Sequence, residues 1–170
     1  RQRIVDEGPL PPHPRPGIQY NMETFDEVIR DNVIRFIDQS VTANKPFFVW
    51  MNPTRMHVQT HLSPEYEARR NAENGWSVQE AGMAQLDDNV GAVMNHLRQR
   101  GLDRNTIVVF TTDNGAENFT WPDGGNTPFA GGKGTGLEGG FRVPMIVRWP
   151  GRVAPGTVQN GIMSGLDWFP

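Results

Sequence analysis

Apolar residues recur at three- and four-residue spacing between residues 22 and 44: Phe25, Val28, Ile29, Val33, Phe36, Ile37 and Val41. That spacing puts them on one face of a helix. Thr24 and Glu27 stand at capping-box spacing at its start, and Lys45-Pro46 ends it. This helix is expected to pack on a sheet. The pattern then becomes a continuous apolar run, PFFVWMN at 46–52, bounded by Pro46 and Pro53. A short run of this kind after a helix suits a buried parallel strand. A polar connection over 62–76 follows, with a short helix after Ser63-Pro64. The helical period returns from Ser77 to Arg100, with Met83, Leu86, Val90, Val93, Met94 and Leu97 as its apolar stripe. Ser77 and Glu80 form a second capping-box pair, and Gly101 suits the position just past the end. Asp87 and Asp88 are adjacent, so they project about 100° apart and read as cap, surface or packing carboxylates.

Two β runs come next, Thr106 to Thr112 and Val143 to Trp149, separated by a long loop. The turn-rich segment PGRVAPGT then leads to a last expected strand, Gln159 to Leu166. Helices alternating with short apolar strands predict an α/β fold: a mixed, mostly parallel sheet flanked by helices. Residues 1–20 hold five of the 14 prolines and read as an extended arm or loop, with His13 a solvated loop histidine.

Composition narrows the function. The chain has 170 residues, 36% hydrophobic, with a mean hydropathy of −0.54. Its longest apolar run, Phe47 to Met51, is far too short for a membrane span. A net charge of −3 argues against nucleic acid as the main partner. There is no cysteine, which excludes a thiolate metal site, a disulfide or a cysteine nucleophile within these residues and says little about compartment. The chain opens on Arg1 and closes on Asp167-Trp168-Phe169-Pro170, so a longer parent protein is expected.

The chemistry concentrates between the two β runs. The first stops at Asp113-Asn114-Gly115, and nine of the 26 residues from Gly115 to Gly140 are glycine. Asp113 and Asn114 offer oxygen ligands, which calcium and magnesium prefer, although the same tripeptide also makes a simple turn. Lys133, between glycines, could meet a small anion as a point charge. A nucleotide-binding Walker loop does not fit, because Thr127 and Gly134 occupy its required positions. The GxGxxG match at Gly134 to Gly139 has no strand before it and no helical pattern after it. Glu138 and Arg142 are expected to form a local ion pair, and Asn118-Phe119-Thr120 fits a glycosylation sequon. After the 46–52 run stand His57 and His61, where ligands gather in open α/β sheets. Spacing alone does not separate the two, and without an HExxH pattern zinc is unsupported.

Taken together, TIVVFTTDNG, TPFAGGKGTGLEGGFRVPMIVRWPG, NPTRMH and LDDNVGAVMNHLRQRGL resemble the sulfatase family, within the alkaline-phosphatase-like superfamily. The resemblance covers residues 20–170 and implies the central-to-late part of a sulfatase catalytic domain over 21–170. It implies that Asp113 and Asn114 are calcium ligands completed by residues outside this chain. It implies that Lys133 binds the sulfate ester and that His57, rather than His61, contacts sulfate and the leaving oxygen. Glu138 and Arg142 belong to the family's EGGxRVP signature. The family's nucleophile is a formylglycine made from a C/S-x-P-x-R motif, and no such motif occurs here. The implied activity is arylsulfatase-type hydrolysis of a small-molecule or glycan sulfate ester by the full-length protein, with these 170 residues alone inactive. Two other readings are a phosphonate or phosphodiester hydrolase of the same superfamily and a non-catalytic domain binding calcium or a sulfated ligand. Trp121 and Asp123 are candidates for substrate contact.

Overall fold

The computed structural model describes residues 21–120 and 124–168. The expected arm over 1–20, with His13, and the substrate candidates Trp121 and Asp123 lie outside the described residues. Helix α1 runs Phe25–Thr42, α2 Pro64–Glu67 and α3 Val78–Gln99. Strand β1 is Val108–Thr111, α4 is Glu138–Phe141 and β2 is Met145–Arg148.

The start of α3 forms as its sequence dictates. Ser77 accepts the Gln79 N–H at 3.1 Å, and the Glu80 carboxylate accepts the Ser77 N–H at 2.8 Å and its hydroxyl proton. These contacts satisfy amides that the first helical turn leaves unpaired. At the other end, Gly101 takes φ +68°, the left-handed conformation that suits glycine. Thr24 caps α1 without a side-chain hydrogen bond, so the first expected capping box does not form.

Helix α1 packs on α3, not on a sheet. Ile37, Ala81, Leu86 and Leu97 are buried, and Tyr66 of α2 joins this small core. Beside this core, Phe36 remains half exposed in an open groove with Ile29, Val33, Phe48 and Trp50.

The sheet differs from expectation. β1 and β2 pair antiparallel, Val108 opposite Arg148 and Thr111 opposite Met145, and no parallel pair occurs among the described residues. The apolar run 46–52 is not a strand, and Trp50 is 78% exposed. Nor is Gln159 to Leu166, where Ile162 lies fully in solvent. A strand exists only through its ladder to a neighbour, and neither stretch has a strand beside it. No described helix is long and apolar enough to cross a membrane.

Candidate functional site

Asp113 and Asn114 follow the end of β1 after a single residue, Thr112. The Asn114 amide donates to the Gly115 carbonyl at 3.0 Å, which turns its Oδ1 away from that contact. The Asp113 carboxylate is exposed and bonds to no described residue. Two oxygen donors are therefore available, and their chemistry suits a hard cation. Calcium takes about six to eight oxygens, so this pair would supply only part of a shell. No cluster of three or more His, Asp or Glu side chains able to hold a metal occurs among the described residues.

Backbone contacts fold the glycine loop onto the strand end. The Gly115 N–H donates to the Gly140 carbonyl at 2.9 Å, Lys133 N–H to Ala116 at 2.8 Å, and Gly139 N–H to Ala130 at 2.8 Å. A Cβ on Gly115 would lie 1.9 Å from the Gly139 carbonyl oxygen, and one on Gly139 would lie 2.2 Å from that of Gly131. Only glycine allows these chains to approach so closely. The Asn118 side chain, the acceptor of the sequon, donates to the Gly131 carbonyl at 3.2 Å. Through this folding Lys133 comes beside Glu117, with Nζ 2.9 Å from Oε2. Glu138 and Arg142 form the expected ion pair at 3.0 Å, and the Arg142 guanidinium stacks 4.2 Å from the Phe129 ring centroid.

His57 lies on the helical side of the molecule. No described hydrogen bond or ion pair joins it to Asp113, Asn114 or Lys133. Its ring is exposed, and Nδ1 accepts the Gln59 N–H at 3.4 Å. A neutral imidazole that accepts at Nδ1 carries its proton on Nε2. His61 differs: its Nε2 is buried without a partner. On α3, Asp88 has a structural role, accepting the Tyr66 hydroxyl at 3.0 Å and pairing with Arg69 at 2.7 Å. Burial and that acidic partner push the Tyr66 hydroxyl up to about 12.

A buried polar cluster beneath His57 escaped the sequence reading. Asp26, fully buried on α1, accepts the backbone N–H groups of Thr54 at 2.7 Å and Arg55 at 3.1 Å. Arg55, also buried, donates Nε to Gln85 at 3.0 Å and Nη2 to the His61 carbonyl at 2.6 Å. Gln85 donates onward to the Glu23 carbonyl at 3.0 Å and to Glu27 at 2.7 Å. Burial pulls the Arg55 guanidinium below its ordinary value, and the charges of Asp26 and Glu27 oppose this. The cluster ties the loop carrying His57 to both long helices. Its signal in the sequence was a polar residue on each buried helix face, Asp26 beside Phe25 and Gln85 beside Leu86.

Comparison with known proteins gives the family of the chain. The family model described as Sulfatase matches residues 5–170, which extends the likeness some way before residue 20. N-acetylgalactosamine-6-sulfatase of Mus musculus is 33% identical over 146 residues, covering 84% of this chain and 27% of that protein. N-acetylgalactosamine-6-O-sulfatase of Bacteroides thetaiotaomicron is 33% identical over 159 residues, covering 85% and 30%. The crystal structure of the PsFucS1 sulfatase from Pseudoalteromonas sp. superposes with a TM-score of 0.76 at 37% identity, covering 83% of this chain and 28% of that one. The chain thus spans between a quarter and a third of these relatives. On its sequence match and its structural match alike, the chain belongs to the sulfatase family.

Proposed function

We propose that the full-length protein is a sulfuric ester hydrolase of arylsulfatase type, acting on a small-molecule or glycan sulfate ester. The observation that carries this is the loop after β1, where two uncommitted oxygen donors and one lysine share a single backbone-locked turn. Relatives named for N-acetylgalactosamine-6-sulfate chemistry support a sulfated sugar as substrate. Residues 21–170 form the central-to-late part of the catalytic domain. In the whole protein the run 46–52 is a strand of a mixed, mostly parallel sheet.

Each residue has a distinct task. Lys133 donates through Nζ to a sulfate oxygen and offsets its charge. His57 presents Nε2–H to the ester oxygen as a hydrogen-bond donor, offsetting charge that develops on the leaving oxygen. Asp113 and Asn114 would hold calcium, which when bound neutralises charge on the sulfate oxygens. The attacking group, a formylglycine in this family, lies outside these residues, so the 170-residue chain alone should not turn over.

The test is turnover of an aryl sulfate and an aryl phosphate by the full-length protein. Preferred sulfate hydrolysis supports the reading, and preferred phosphate hydrolysis would replace it with phosphonate or phosphodiester chemistry. No turnover of either, with no C/S-x-P-x-R motif upstream, would leave a binding domain. Lys133→Ala should lower kcat/KM about ten- to hundredfold, the range for one charge-assisted hydrogen bond.

A further inference from the structure

Lys133 does not stand free. Its Nζ lies 2.9 Å from Glu117 Oε2, with the lysine side chain one-third exposed and the glutamate side chain 17% exposed. Both partners are fixed through their backbones. The Lys133 N–H donates to Ala116, the residue before Glu117, at 2.8 Å. The Glu117 N–H donates to the Gly124 carbonyl at 3.0 Å, and the Glu117 carbonyl accepts the Thr120 N–H at 3.1 Å and hydroxyl at 2.8 Å. The pair therefore follows from how the two halves of the loop are joined.

An ammonium has three protons. One directed at Glu117 fixes Nζ and leaves two for anion oxygens. The carboxylate also brings a negative charge close to any anion that Lys133 receives, and the two repel through partly solvated space. We infer that Glu117 is a positioning residue that holds Lys133 and weakens its grip on sulfate. This rests on the functional reading above, in which Lys133 meets sulfate. Glu117 would then favour release of the product ion at the cost of looser substrate binding.

Glu117→Gln separates the two effects, because the amide oxygen still accepts the lysine proton while the charge is gone. In the full-length protein, inhibition by inorganic sulfate should tighten about fivefold, and KM for an aryl sulfate should fall in parallel, the scale of a partly exposed ion pair. The gain should shrink as salt rises. A purely structural glutamate predicts the opposite sign, because loosening Lys133 weakens inhibition. Unchanged or weaker sulfate inhibition in Glu117→Gln overturns the inference. If that variant gives no cooperative unfolding transition, Glu117→Asn, which also removes the charge and keeps an amide oxygen, should tighten inhibition, and unchanged inhibition there overturns it equally. Sulfate inhibition unaffected by Lys133→Gln would defeat the functional reading as well. Inhibition weakened by Lys133→Gln but unmoved by Glu117→Gln would defeat this inference alone.

Discussion

The Asp26 carboxylate, which has no solvent exposure, receives the Arg55 backbone N–H at 3.1 Å and lies 3.8 Å from the Arg55 guanidinium. Removing one partner of a buried pair strands the other charge, which costs about 3–5 kcal/mol. Asp26→Ala should therefore destabilise the full-length protein by that amount in urea unfolding. Arg55→Met should cost less, because Asp26 keeps the Thr54 N–H and hydroxyl and the residue-55 N–H as donors. Equal losses in the two variants would contradict this account.

Calcium should stabilise the full-length protein through Asp113. A ligand that binds only the folded state, present at a hundred times its Kd, adds about 2.7 kcal/mol. Thermal unfolding with calcium and with a chelator measures the difference. Asp113→Ala should reduce that difference, and an unchanged shift would remove Asp113 from the site.

The cap of α3 should be pH-dependent. The Ser77 hydroxyl and N–H hold the Glu80 carboxyl below its ordinary value of 4.5. A depressed folded value means the stabilisation is complete above pH 4.5 and is lost as pH falls through the folded value. Ser77→Ala should cost about 1 kcal/mol near neutrality, the usual loss for an N-cap. Its Tm deficit should narrow below pH 4.5, and a deficit constant across that range would contradict the linkage.

The elements legible in the sequence were those whose determinants lie close together in the chain. Ser77, Glu80 and Gly101 delimit α3 by contacts within a turn of each end. Val108–Thr111 and Met145–Arg148 became strands because each had the other as a neighbour. The run 46–52 has the same apolar character and no such neighbour, so composition alone could not make it a strand. The candidate site was legible as a set of residue types, Asp113, Asn114 and Lys133, through a motif. Its supports were not. Asp26 meets Arg55 across 29 positions and Lys133 meets Glu117 across 16, and no local pattern announces either pair.

The glycines between Gly115 and Gly140 suggest a slack tether when counted. Gly115 against Gly139, and Gly139 against Gly131, instead bring main chain into van der Waals contact with main chain. Such a segment loses its conformational entropy at folding, not at the encounter with an anion. An incoming sulfate group would meet a surface whose shape is already cast. Any side chain larger than hydrogen at Gly115 or Gly139 would deform that surface before it touched a ligand.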